Sequence, residues 1–289
     1  MKAGKIKRLL LGSVFAIVIF GGVAFFILPP KGYIPVLMYH FVVPKAQVGS
    51  TSLDVSVENF SRQMWFLKTF GFRTISLDEY EAIKTGRTKA HGREVLITFD
   101  DGNETYIQYA LPVLERYQIN SANFLVWNFM VQKQYGSMSL EDAKRLSSHP
   151  LITFASHSLS HIPLADSPAE EVRTEIFESK AKLEEALGAK INYFCYPEGS
   201  HDERTIKMAE EAGYRLAFTT SRKQLQGRPG TLYSIVRIKV SPTQNLFVFW
   251  INVSGFTAWG KEIDSFFHQL TGQNYNGTLT PYKLNPKTS

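Results

Sequence analysis

With 289 residues, 44% of them hydrophobic, the chain is long enough to bury one large core, and a single α/β barrel of roughly 200–250 residues fits that length. The formal net charge is +6, but Lys2, Lys5, Lys7 and Arg8 supply four of these charges with no acid before residue 31. The remainder is close to balanced and carries no basic stripe interleaved with aromatics, which argues against a nucleic-acid partner, and the lone Cys195 excludes an intrachain disulfide.

Residues 9–28 form an uncharged, mostly apolar run long enough to span a bilayer. The basic residues ahead of it, against only Lys31 behind, predict a single-pass anchor with the N-terminus inside and the rest of the chain outside the cytoplasm. The rival is a cleavable signal peptide, with a small-x-small site at Gly22, Val23 and Ala24; the apolar run continues past that site, which favours the anchor. After it, 35–40 reads as a short buried strand ending in His40, and 44–54 as a loop. Residues 56–70 read as a helix from the spacing of Val57, Phe60, Met64 and Leu67, and 74–77 as a strand. A buried strand over 95–99 and a helix over 106–117 follow, with Pro112 in the first turns of that helix, and then a strand over 122–126. A strand over 151–155 precedes a long helix that starts from a capping box at Ser167 and Glu170 and ends near Gly188. Strands over 194–196, 216–219 and 235–240 complete the pattern, with a helix over 202–213 between the first two. This β/α alternation predicts a parallel sheet or barrel. Residues 244–255, with Phe247, Phe249 and Trp250, read as core cover or as a sugar-stacking platform, and 272–289 is a polar tail. The predicted division is therefore 1–30 basic flank and anchor, 31–271 catalytic domain, and 272–289 tail.

Two constellations carry chemistry. Thr98-Phe99-Asp100-Asp101-Gly102 places adjacent carboxylates at the C-terminal end of a buried strand, with Gly102 freeing the turn, at the end of the sheet where α/β enzymes keep their sites. His157-Ser158-Leu159-Ser160-His161 follows another strand, and its two imidazoles four residues apart would share one side of a helical turn. Each alone has a bland reading, as a turn or cap for the Asp pair and a solvated face for the His pair. Both end apolar strands, however, and so open on one rim, where two imidazoles and a carboxylate make a divalent metal site.

These motifs resemble the polysaccharide deacetylases of the NodB homology type, carbohydrate esterase family 4, whose first motif is T-F-D-D-G and second H-[ST]-x-x-H; the resemblance spans roughly residues 33–250. It implies a distorted barrel of about seven strands. By position, Asp100 resembles the family's general base, and Asp101, His157 and His161 its metal ligands. The metal, zinc first with iron, cobalt or nickel also compatible, would polarise the acyl carbonyl and acidify water, so one carboxylate must ligate while the other stays free to take a proton. A histidine must then protonate the departing amine. His40, in Tyr39-His40, resembles the N-terminal motif of a circularly permuted subgroup that includes exopolysaccharide poly-N-acetylglucosamine deacetylases, and is the candidate acid; otherwise it is a satisfied histidine at a strand end.

The third motif, Phe194-Cys195-Tyr196-Pro197-Glu198-Gly199, departs from the common form, with Cys195 where many relatives have Arg and Glu198 where many have Tyr. Tyr196, Pro197, Glu198 and Gly199 are then the substrate-binding loop. The family uses the backbone amide at the position of Glu198 as an oxyanion donor, which any residue but Pro supplies. The missing Arg has a candidate substitute in Arg237, whose strand resembles the permuted subgroup's arginine strand and which would pair with Asp100 and hold it ionised; the other reading is an ordinary surface arginine on an edge strand. Cys195 itself reads as a small buried hydrophobe. The expectation is a membrane-anchored, metal-dependent N-deacetylase acting on N-acetylhexosamine in a cell-surface polysaccharide. Alternatives are a peptidoglycan or linkage-unit deacetylase, an O-acetyl esterase, and a non-catalytic carbohydrate-binding protein.

Overall fold

The computed structural model describes residues 33–49, 51–220 and 232–255. The expected span over 9–28, with Ala24, and the tail over 272–289 lie outside these residues; among the described residues no helix is long and apolar enough to cross a membrane.

The strands in chain order are β1 (Val36–Tyr39), β2 (Phe41–Val43), β3 (Asp54–Ser56), β4 (Arg73–Thr74), β5 (Glu94–Phe99), β6 (Ser121–Leu125), β7 (Ile152–Ser156), β8 (Tyr193–Cys195), β9 (Leu216–Thr219), β10 (Ile235–Val236) and β11 (Ile238–Lys239). The α-helices are α1 (Val57–Thr69), α2 (Leu77–Lys84), α3 (Leu111–Tyr117), α4 (Trp127–Gln132), α5 (Leu140–Leu146), α6 (Ala169–Leu187), α7 (Glu203–Glu211) and α8 (Leu246–Val253). The main sheet runs β10-β9-β8-β7-β6-β5-β1-β11 and every pairing is parallel. β10 and β11 are one strand interrupted at Arg237. Its first half pairs with β9 (Ile235 opposite Phe218) and its second with β1 (Leu37 opposite Ile238), so the two ends of the sheet meet on it. Counted this way the ring is β1, β5, β6, β7, β8, β9 and β10/β11, a nearly closed (β/α)7-type barrel. β4 pairs with the first residues of β5, and Asn120 ties it to the start of β6 by donating to the Thr74 carbonyl at 2.9 Å, a local distortion of the ring.

Two apolar clusters show which way each strand residue faces. Val36, Leu96, Ala122, Phe124, Ala155, Cys195, Leu216 and Phe218 form one, filling the barrel. Leu37, Tyr39, Val95, Ile97, Phe99, Phe194 and Ala217 belong to the other, with Phe60, Met64, Val172 and Ile176 from the surrounding helices. Successive residues alternate between them because side chains in a strand alternate in face. Both faces of β5 and β6 are buried along their whole length, so these strands show no regular apolar–polar alternation.

Several elements differ from the sequence reading. The strand expected over 74–77 stops at Thr74, because the Ser76 side chain accepts from Glu79 N and caps α2, so that Leu77 already belongs to a helix. The capping box expected at Ser167 is absent: Pro168 is the cap residue and the Ser167 hydroxyl donates instead to the Pro163 carbonyl at 3.0 Å. The helix expected over 106–117 opens as a π-helical turn over Tyr106–Ala110 before α3, whose second residue is Pro112. Helices α2, α4 and α5 were not anticipated. The segment over 244–255 is largely α8, which buries Phe249 and Val253 and leaves Phe247 and Val248 exposed.

Candidate active site

The strand alternation places the chemistry. Val36, Leu96, Ala155 and Cys195 face the barrel interior, so their successors at even spacing, His40, Asp100 and His157, face its mouth at the C-terminal ends of β1, β5 and β7. The ladder continues into these residues: Asp100 N donates to Tyr39 O at 3.1 Å, His157 N to Leu125 O at 2.8 Å, and Arg237 N to Thr219 O at 3.0 Å. The functional groups thus stand on strand backbone rather than on free loop.

Arg237 is 5% exposed and holds Asp100 through two parallel bonds of 2.6 Å, Nη1 to Oδ1 and Nη2 to Oδ2. It is therefore no surface arginine. Thr98 Oγ1 accepts a further bond at 3.3 Å, and the Phe124 ring lies 5.3 Å from the guanidinium carbon. Burial works to raise the Asp100 carboxyl, but the guanidinium, with His157 and His40 nearby, outweighs it and holds the group well below the usual carboxylate range. His40 Nε2 lies 3.7 Å from Asp100 Oδ2.

Asp101 follows with φ 69°, a left-handed conformation that turns a second carboxylate toward the same mouth. Gly102 continues with φ 64°; a Cβ there would lie 2.8 Å from Leu125 Cδ2, so both backbone conformation and space require glycine. Asp101 Oδ1 is buried without a hydrogen-bond partner among the described residues. Around it stand His161 Nε2 at 3.5 Å and His157 Nε2 at 3.8 Å. The His157 ring has a fixed tautomer: Nδ1 donates to the Cys195 carbonyl at 2.8 Å, leaving Nε2 with its lone pair. Burial pushes His157 down to about 4, so it is neutral at pH 7. An orphaned carboxylate oxygen facing two imidazole nitrogens, all within 4.8 Å of one another, fits a divalent cation. Asp100, His157 and Cys195 also satisfy that spacing. They fit a metal poorly, since both Asp100 oxygens are engaged by the Arg237 guanidinium and burial pushes the Cys195 thiol well up.

The histidine motif is not a helical turn. Residues 157–163 are irregular, with φ 70° at Ser158 and 62° at His161. The cause is Glu175 of α6, a buried carboxylate that accepts from Leu159 N at 2.9 Å, Ser160 N at 2.8 Å and the Ser160 hydroxyl. Ser158 Oγ accepts from His161 N at 3.0 Å. The imidazoles still converge, with ring centroids 4.8 Å apart, and the Phe129 ring stacks on His161 at 5.7 Å. Glu175, Ser158, Phe129 and the Cys195 carbonyl were missed by sequence reading; only Ser158, inside the motif, left a local signal.

In the third motif, Tyr196, Pro197 and Gly199 are buried, while Glu198 is exposed with φ 55°. Tyr196 N donates to Phe218 O at 2.9 Å, which continues the ladder at the end of β8.

A parallel barrel with these carboxylates, imidazoles and guanidinium at the C-terminal ends of its strands brings together the groups that metal-assisted hydrolysis requires. The family model for polysaccharide deacetylase matches residues 87–217 of the chain. It is 29% identical over 209 residues to YxkH of Bacillus subtilis, named for the same family, with 72% of each chain covered. It is 27% identical over 199 residues to the poly-beta-1,6-N-acetyl-D-glucosamine N-deacetylase of Staphylococcus epidermidis, covering 65% of this chain and 68% of that one. The structure of IcaB from Ammonifex degensii superimposes with a TM-score of 0.66 at 27% identity, over 80% of this chain and 98% of the other.

Proposed function

We propose that the chain removes N-acetyl groups from N-acetylhexosamine residues of a cell-surface polysaccharide, with poly-N-acetylglucosamine as the first substrate class, using a divalent metal held by Asp101, His157 and His161. The observation that carries this reading is the division of labour between two adjacent carboxylates: Asp100 is neutralised by Arg237, whereas Asp101 keeps an oxygen free opposite two imidazoles. When bound, a divalent cation supplies Lewis acidity toward the acetyl carbonyl and acidifies water.

The remaining work falls to the chain's own groups. Asp100, kept ionised by Arg237, takes the proton from the attacking water at Oδ2. His40, 3.7 Å from that oxygen, gives a proton to the amide nitrogen as the C–N bond breaks, so acetate and a free amine leave. Tyr196, Pro197, Glu198 and Gly199 form one wall of the substrate site, and the Glu198 N–H is assigned to the developing oxyanion. The apolar run over 9–28 supports an extracytoplasmic domain on a membrane anchor, or a secreted one if cleaved near Ala24. Removing acetyl groups would turn a neutral polymer cationic and change its retention on an anionic envelope.

The test is acetate release by the full chain after chelation, with zinc, cobalt or nickel added back, on β-1,6- and β-1,4-linked N-acetylglucosamine oligomers and on peptidoglycan fragments. Metal-restored release from the β-1,6 oligomers supports the reading. Release only from peptidoglycan fragments moves the substrate, and release unaffected by chelation refutes the metal.

A further inference from the structure

A second feature at the barrel mouth has no part in the bond-breaking chemistry. Helix α4 ends at Lys133 with φ 53°, and the chain passes through Tyr135 (φ 52°) and Gly136 (φ 63°) before returning to α5. A bulky aromatic in a left-handed backbone is uncommon and carries strain. Tyr135 is also 74% exposed, the most exposed of the large hydrophobic side chains among the described residues, so core packing does not account for that strain.

The loop is nevertheless rigidly tied, and to the catalytic turn. Met138 N donates to Gly102 O at 2.8 Å, Glu104 N to Gly136 O at 2.8 Å, and Asn103 Nδ2 to the Tyr135 carbonyl at 2.7 Å. Gln134 N donates to Phe129 O at 2.9 Å, and the Ser137 hydroxyl to the same carbonyl at 2.6 Å. A relay of rings reaches the proposed metal site: Tyr135 to Phe129 at 4.6 Å, then Phe129 to His161 at 5.7 Å. The exposed ring is thus two ring contacts from the His161 imidazole, through Phe129. Gln132 and Gln134, bonded to each other at 2.8 Å and exposed, flank it with amides able to meet hydroxyl and acetamido groups.

We propose that Tyr135 is the stacking platform of a sugar subsite, binding the apolar C–H face of an N-acetylhexosamine ring next to the one whose acetyl group is cleaved. This rests on the polysaccharide reading above and deepens it by assigning a named side chain to the sugar beside the cleaved one. A tyrosine ring suits the task because it offers a flat apolar face with few torsions to freeze, and the strained, bonded turn fixes it before substrate arrives.

The test measures kcat/KM for acetate release by the full chain on N-acetylglucosamine oligomers of increasing length, for the parent, Tyr135→Ala and Tyr135→Phe. The parent gains efficiency as sugars are added. Tyr135→Ala loses about 3- to 10-fold of that gain, chiefly through KM, whereas Tyr135→Phe keeps it because the ring face remains. Equal length dependence in Tyr135→Ala and the parent, with equal thermal midpoints, overturns the subsite while leaving the deacetylase reading intact. Should the parent release no acetate from any oligomer, that reading fails by itself, and calorimetric titration with the longest oligomer decides the platform. Weaker binding by Tyr135→Ala supports it; equal binding, or none by the parent, overturns it.

Discussion

Replacing Arg237 by Met keeps an unbranched side chain in the barrel mouth and removes the guanidinium, with both the charge and the hydrogen bonds that it brings to Asp100. The structure sets the size of the effect: both side chains are almost fully buried, at 1% and 2% exposure, and the fork makes two bonds of 2.6 Å. Removing one partner from a buried pair of this kind costs about 3–5 kcal/mol, because the other charge is left uncompensated. In a domain of this size that lowers the thermal midpoint by roughly 6–20 °C. Asp100→Asn should cost a comparable amount for the same reason, and the double variant should recover part of the loss, since no lone charge remains. Circular dichroism during urea and thermal unfolding measures all four proteins. Single-variant losses that add to the double-variant value within about 0.5 kcal/mol would refute the coupling. The pH dependence supplies a sign. The depressed Asp100 group stabilises the parent above its unfolded value of about 4, and that contribution is lost as pH falls. In Arg237→Met burial acts with much less opposition and raises the group, so the contribution reverses and is lost as pH rises. The stability gap between parent and variant should therefore widen from pH 3 to pH 6; a constant gap contradicts the argument.

Glu175→Gln keeps the shape of the acceptor but removes the charge around which residues 159 and 160 fold; zinc affinity of the metal-free protein, by calorimetry, should fall about 10- to 100-fold with the barrel still folded. Asp100→Asn should abolish acetate release while retaining bound metal, whereas His157→Ala should lose both, read by atomic absorption alongside turnover. His40→Gln should slow release by about 100- to 10,000-fold if it is the proton donor, and a loss under threefold would remove it from that role. Gly102→Ala should cost about 1–3 kcal/mol in urea unfolding, because the new methyl meets Leu125 at 2.8 Å in a left-handed backbone.

The barrel was legible wherever a strand is buried on both faces, since 95–99 and 122–126 are apolar apart from Thr98 and Asn123 and local sequence alone specifies them. The site was legible for a related reason: a strand's period of two carries Leu96 to Thr98 to Asp100 on one face, so a motif at a strand end already fixes where its side chains point. The shape of the histidine loop was not legible, because it forms around a carboxylate from a helix that begins eight residues after His161. Spacing suggested a helical turn; three hydrogen bonds to Glu175 impose another path. Ser167 illustrates the same limit, since its capping signature was genuine but its hydroxyl found a carbonyl in the preceding loop. Helices α4 and α5 are short, and the turn between them is held by bonds of Tyr135, Gly136 and Met138 to Gly102, Asn103 and Glu104 that no local pattern announces.

The residue that secures Asp100 is also the one at which the last barrel strand changes neighbours, from β9 to β1. Chemical competence is thereby tied to completion of the fold. A polypeptide made from its N-terminus holds both aspartates and both histidines of the mouth long before residue 237 exists, and until Ile238 settles beside Leu37 Asp100 lacks the guanidinium that pairs with it in its buried position. Pairing across that sequence distance is slow to form. With Asp100 in the role proposed above, a partly folded chain would lack its completed base, and hydrolysis would begin only once the ring is joined. Under that assignment, closure of the barrel would time the first turnover.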